Sequence, residues 1–537
     1  MNLATSRQRI ALCVCLCALS QVIAGCSRRP LSVDDGDELP GSLASLHLFD
    51  GELARLQPAR DVVSYEINST SFYDYADCSF AMKLPHGESI SYLADGTMGF
   101  PVGTVLAQTL SYADADRLGA RRIVETRVLT RRADKWLGLT YLWNDDQTAA
   151  NLELLGARIP IRRQLPNGEI AEQTHIVPNF NDCKRCHRID DKVRPIATSL
   201  QQLNCTSLAG SNTRQLAAWQ SAGRLRGLPP LETLPRLARW NDSATGSVEH
   251  RARAWLEVNC AHCHNSGGAA RHSGLHLAAS VADPSVYGVL KSPIAAGRGS
   301  GGLPFDIVPG QPQLSILLHR VRSTEAGVVM PEYGRTQVHQ EGVALLDEWI
   351  ASMPAAADTF RGLVGIVEDL QPEELAGWTE EALAHGNARR GERVYQRDEL
   401  NCKKCHAVRG RGANVGPDLA NIGPQTKAEQ IVESVLLPNK VIKEGFRAVT
   451  LQTQEGLVVT GIQVADKGFE IVLRDPVRGD TTITKSTIAE RSEGASLMPT
   501  NLVAALKRQD FLDLVRYLVV LNTPPAAAPS QSSAVGP

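Results

Sequence analysis

The sequence predicts a multidomain chain. An N-terminal β-rich domain is followed by mainly α domains, the last with an inserted β-meander. Three observations predict it. Leu137, Leu139, Tyr141 and Trp143 alternate with Gly138, Thr140 and Leu142, mostly the pattern of a half-buried strand. Downstream the apolar period lengthens. Val248, Ala252, Trp255 and Leu256 share one helical face, as do Val343, Leu346, Trp349 and Ile350. Between Lys443 and Glu490 the period shortens again to that of strands. The 537 residues suit about three or four domains.

In chain order, Arg7 and Arg9 precede an apolar stretch from Ile10 to Gly25 that is too short to span a bilayer. It ends in Ile23-Ala24-Gly25-Cys26, which resembles the lipobox of bacterial lipoproteins. The expectation is a signal peptide over 1–25, lipid on Cys26 and a polar tether over 26–45; the alternative is an ordinary signal peptide cleaved nearby. Ser27 in place of Asp favours the outer membrane, so the chain is expected on the periplasmic side of the envelope, lipid-anchored. A formal net charge of −2 points away from nucleic acid.

Residues 46–172 are read as the β-rich domain. Phe100–Leu106 and Ile123–Val128 are further strand candidates, and a sandwich or small barrel is the natural architecture. Residues 173–355 carry two helices, Ser247–Asn259 and Glu341–Ser352. A linker covers 356–375. Residues 376–523 form the last domain, in which Gly391–Asn401 and Ala504–Leu521 read as helices. Turns at Gln454-Glu455-Gly456, Asp466-Lys467-Gly468 and Asp475-Pro476 divide a four-stranded insert over 443–490. The Pro/Ala/Ser tail, 524–537, is expected to be disordered.

Three pentapeptides read Cys-x-x-Cys-His: Cys183 to His187, Cys260 to His264 and Cys402 to His406. This is the attachment signature of c-type haem. Two thiols one helical turn apart form thioethers to the haem vinyl groups, and the adjacent histidine meets the iron. A zinc site would want a second Cys/His pair near each motif, and none is there. A thioredoxin-like pair does not explain the histidine three times over. The mainly α domains are therefore read as cytochrome c-like haem domains with three covalently bound haem c. Cys183, Cys186, Cys260, Cys263, Cys402 and Cys405 hold the porphyrins, and His187, His264 and His406 the irons. Once the leader and Cys26 are set aside, Cys78 and Cys205 remain. They are a disulfide or two buried thiols.

The second axial ligand decides between electron transfer and chemistry on a bound molecule. Met498, in Ser496-Leu497-Met498-Pro499, is the candidate for the third iron, with Gly416-Pro417-Asp418-Leu419 as the loop whose proline carbonyl would orient the proximal imidazole. Met330, in Val329-Met330-Pro331, is the candidate for the second; core packing is the alternative for both. For the first iron the choice stays open among His250, Met82, Met98, His175, His86 and no ligand at all.

Residues from about 60 to 352 resemble a family of uncharacterised bacterial dihaem c-type cytochromes. The matching segments include Glu125-Thr126-Arg127, Tyr141-Leu142-Trp143-Asn144, Val258–His264, Gly297-Arg298-Gly299, Asp306–Gly310 and Met330-Pro331. Residues from about 386 to 520 resemble a planctomycete-type haem-binding domain, a cytochrome c variant with a β insert, through Cys402–His406, Gly416–Leu419, Ser496–Pro499 and Asp513–Leu518. One departure is that Tyr395 lies seven residues before Cys402, more than the usual aromatic-to-motif spacing. The resemblances imply haem binding and electron transfer without a substrate.

The leading expectation is an exported trihaem carrier between periplasmic redox proteins, a dehydrogenase or other cytochromes among them. The rivals are a peroxidase- or oxidase-like enzyme at an open first haem, and a haem-stapled docking scaffold for a periplasmic dehydrogenase. Lys184-Arg185 and Lys403-Lys404 would suit docking by charge.

Overall fold

The computed structural model describes residues 32–33, 37–93, 96–117, 119–206, 214–295, 297–354, 364–365, 367–421, 426–454 and 456–521. The expected leader, Cys26, the first part of the linker and the 524–537 tail lie outside them.

The N-terminal region is β-rich. Strands β1 (Val62–Tyr65), β2 (Asp77–Lys83), β3 (Val105–Ala113), β4 (Arg121–Arg131), β5 (Trp136–Trp143) and β6 (Ala150–Glu153) form one antiparallel sheet, in the order β6-β5-β4-β3-β2-β1. A separate hairpin, β7 (Ala157–Gln164) and β8 (Ile170–Val177), follows. The expected sandwich or barrel is therefore corrected to an open sheet. Its strands carry apolar residues on both faces, so each face needs cover. Leu39, Leu43 and Leu48 bury one face with Ala107, Val128, Leu139 and Tyr141. Leu200, Leu203, Leu216 and Trp219 bury the other with Phe80, Met82 and Leu106. The stretch from Leu39 to Ser45, expected to belong to a tether, is thus packed structure. The strand expected from Phe100 begins only at Val105, because Pro101–Thr104 turns, with Gly103 at φ 94°.

In the middle region α1 (Phe180–His187) starts at a reciprocal cap. The Asn179 side chain accepts from the Asp182 amide, and Asp182 accepts from the Asn179 amide. Helix α2 (Val248–Leu256) passes into a π turn, Glu257–Ala261, that carries Cys260. With α3 (Gln340–Ser352) it encloses a core of Trp255, Leu256, Leu318, Leu346, Trp349 and Ile350. A loop of the β region locks onto this core. Asp74 accepts from the backbone of Thr336 and Gln337. Phe72 stacks on His339 at 4.3 Å, and the Asn259 side chain accepts from the Phe72 amide.

The last region is helical around a sheet. It contains α4 (Pro372–His385), α5 (Ala388–Tyr395), α6 (Cys402–Cys405), α7 (Ala428–Leu436) and α8 (Arg508–Leu521). Its sheet has five strands, not the four expected: β9 (Arg447–Thr453), β10 (Val458–Asp466), β11 (Glu470–Asp475), β12 (Gly479–Thr484) and β13 (Ile488–Ser496), in the order β12-β11-β10-β9-β13. The fifth strand returns beside the first. It shows no alternating apolar pattern because nearly all of it is exposed. The helix expected over Gly391–Asn401 stops at Tyr395; a 3-10 turn at Asp398–Leu400 and a left-handed Asn401 (φ 56°) re-aim the chain into α6. The terminal helix starts at Arg508 rather than Ala504. No helix among the described residues is long and apolar enough to cross a membrane.

Candidate haem-attachment sites

Each Cys-x-x-Cys-His segment is helical or turned where it must present two thiols on one side. At the third, the His406 Nδ1–H donates to the Pro417 carbonyl at 2.8 Å. Gly416 makes this approach possible: a Cβ there would lie 2.6 to 2.8 Å from atoms of the imidazole ring. Tyr395, despite its long spacing, is buried against Tyr517 and donates its hydroxyl to the His406 carbonyl at 2.9 Å. The 3-10 turn absorbs the extra residues. Helices α5 and α8 touch at Gly391, where a Cβ would fall 1.9 Å from the Asp513 carbonyl oxygen. Asp513 caps this crossing by accepting from the Asn387 amide and from Arg390 Nε and Nη2. Met498 is half-buried in the same apolar cluster as Cys402, and its neighbour Leu497 packs with Cys405.

At the second motif, His264 pairs its Nδ1 with the Ser273 hydroxyl at 3.1 Å. Burial, reinforced by Arg320, His262 and Lys291, pushes the imidazole down to about 4, so it is neutral. The Met330 segment is pinned by Arg335, whose Nη2 donates to the carbonyls of Met330 (2.8 Å) and Ser323 (2.8 Å) and whose Nη1 donates to that of Gln337 (2.7 Å). Arg335 also acts electrostatically on Cys260, as Glu332 does on Cys263. Met330 is therefore carried by a loop whose flanking side chains face the motif.

At the first motif, the His187 Nδ1–H donates to the Arg194 carbonyl at 2.8 Å. Helix α1 lies on the sheet: a Cβ at Gly138 would stand 3.8 Å from that of Cys183. The candidate ligands for this iron are placed elsewhere or engaged. Met82 is buried in the sheet core and Met98 packs against the same cluster. His86 is exposed. His250, also exposed, pairs with Ser247 at 3.0 Å. His175 is bonded at both ring nitrogens, to Tyr112 (2.9 Å) and Glu125 (2.8 Å).

The motifs adjoin one another. The thiols of Cys186 and Cys263 are close enough to interact electrostatically, with the His262 ring beside Cys186. Asp190, just past the first motif, donates its amide to the Gly267 carbonyl, just past the second, at 3.1 Å. On the other side, Lys404 donates to the His272 carbonyl at 3.3 Å, one residue from the Ser273 that holds His264. Lys404 is thus an internal contact. Lys403 pairs with Asp398, Lys184 lies over Phe180 and Arg185 over Tyr333. Sequence reasoning missed Arg194 and Ser273, and singled out Arg335 only through the resemblance to the dihaem family, as part of Gly334-Arg335.

Cys78 and Cys205 are separate thiols: Cys78 accepts from Gln108 at 3.4 Å and Cys205 donates to the Glu66 carbonyl at 3.4 Å. Among the described residues no group of three or more His, Cys, Asp or Glu converges to hold an ion.

The geometry around Cys402, Cys405, His406 and Pro417 is that of a c-type haem-attachment unit. A cytochrome c family model matches residues 388–454, which include that motif. A covalently bound haem c and haem-based electron transfer follow for this part of the chain. The match ends before Met498. A comparison with curated proteins gives no match.

Proposed function

We propose that the chain is an exported trihaem c-type cytochrome that carries electrons between redox partners of the cell envelope, anchored by lipid on Cys26. The observation that carries this reading is the adjacency of the motifs, Cys186 against Cys263 and Lys404 against His272. It supports a haem order of first, second, third, each centre next to the following one. The residues fit the group. In each motif the histidine Nδ1 is engaged, which directs Nε2 to an iron. Some of the buried polar atoms without partners lie at the motifs: Thr140 Oγ1 and His262 Nδ1 at the first two, both amide atoms of Asn401 at the third.

In this reading the thioethers form at Cys183, Cys186, Cys260, Cys263, Cys402 and Cys405. Met330 and Met498 complete the second and third irons. Haem supplies one-electron chemistry, and the chain orients the imidazoles, excludes water and sets the spacing. The resemblances to the dihaem and planctomycete-type families agree with this assignment. Denaturing mass spectrometry of mature protein from a haem-maturing host tests it: three added haem masses support the carrier, and a bare first or second motif refutes the trihaem assignment. Replacing Cys26 with Ser should release the protein from the membrane fraction. An enzymatic reading draws on one observation, that the candidate sixth ligands of the first iron are engaged or placed elsewhere.

A further inference from the structure

We propose that the first haem keeps an axial position open for a small anion, and that Arg127 is the cation that receives it. The inference rests on the haem reading of Cys183–His187 and deepens the rival, enzymatic use of that site.

The sheet face under α1 is built in register. Arg127 on β4 pairs with Thr140 on β5, and Leu129 with Gly138, so Arg127, Leu129, Thr140 and Gly138 share one face. Cys183 stands on that face against Gly138, beside the buried Thr140 hydroxyl. The Arg127 guanidinium is close enough to act electrostatically on both Cys183 and His187. It is the end of a buried relay. The Tyr112 hydroxyl donates to His175 Nδ1, His175 Nε2–H donates to Glu125 Oε1, and Arg127 Nε and Nη2 donate to the same oxygen at 3.1 and 2.6 Å. The Tyr73 ring supports the guanidinium from below at 4.9 Å. Tyr112, His175 and Tyr73 thus fix the Glu125–Arg127 ion pair beside the first motif.

Two features suit a ligand there. Glu125 Oε2 is buried and has no hydrogen-bond partner, so the relay can take one more donor, such as a ligand's proton or a water. The Arg127 side chain is half-buried, and its guanidinium has donors beyond the two that Glu125 takes, as an anion receptor needs. Among the described residues Met82 is buried in the sheet core, His175 is bonded at both ring nitrogens and His250 pairs with Ser247, so each of these is already engaged. The one further imidazole at the motif, His262, lies against Cys186, on the attachment edge.

The test uses the mature protein with its haems counted by mass; an unloaded first motif would defeat the underlying reading, not this one. Azide and imidazole are titrated against the oxidised protein and followed by optical and EPR spectra. One high-spin haem should bind both probes. Arg127→Leu should weaken azide at least tenfold and leave imidazole within twofold; Arg127→Lys should recover part of the loss. A disturbed fold would weaken both probes alike and overturn the assignment to Arg127. Should Arg127→Leu not fold, His175→Gln, which removes the second anchor of Glu125, should weaken azide selectively. Three low-spin haems that bind neither probe would overturn the proposal, as would a high-spin haem that appears only in His262→Ala.

Discussion

The imidazole of His406 and the carbonyl of Pro417 are joined by a 2.8 Å hydrogen bond that only a glycine at 416 permits. Gly416→Ala should push the ring off this acceptor. Overpacking of this kind costs about 1–3 kcal/mol. We expect a lower yield of loaded third haem and a shifted potential, read by mass and redox titration. An unchanged potential would detach the glycine from ligand orientation.

Met498→Ala and Met330→Ala should each remove the methionine–iron absorption of one haem and lower that haem's potential, since thioether ligation raises it. A spectrum identical to wild type would exclude the substituted residue as a ligand.

Gly391→Ala places a methyl group against the Asp513 carbonyl at the crossing of α5 and α8. The two helices must separate, at a cost of roughly 3 kcal/mol or more. The melting of the third domain should fall by several degrees. Gly377→Ala, on α4 with nothing within 4 Å, should be neutral or slightly stabilising by helix propensity.

Burial holds His339 down to about 4, against the attraction of Glu341, and its Nδ1 accepts from Trp255 Nε1 at 2.9 Å. Between the ordinary histidine value and about 4, the unfolded chain binds more protons than the folded one. Stability therefore falls as pH drops through that window and is regained above it. Urea midpoints measured from pH 7 to 4 should decline, and less steeply in His339→Gln, which retains an acceptor. Parallel declines would assign the effect to other groups.

Burial pushes both Cys78 and Cys205 up to about 11. Their thiolate population near neutral pH is about a hundredfold below that of a free cysteine. Folded, haem-loaded protein should resist a thiol reagent at pH 8 and release two reactive thiols on denaturation. Rapid labelling in the folded state would contradict their burial.

Spacing made the haem chemistry legible. Two thiols and a histidine within five residues form a site that local backbone alone can build, so Cys402, Cys405 and His406 were readable without a fold, as was the Pro417 carbonyl eleven residues after His406. Periodicity likewise revealed α2 and α3, because each buries one face, and the alternation over Leu137–Trp143 revealed a central strand. Strand β13 escaped it, since an exposed edge carries no apolar alternation.

The sequence by itself determined which residues can be grafted to haem, because that capacity is covalent and local. Only the tertiary structure decided what surrounds each one. Cys186 against Cys263 and Arg127 beside Cys183 join residues distant in the chain. Such contacts are set by packing and sheet register, which no spacing along the chain encodes.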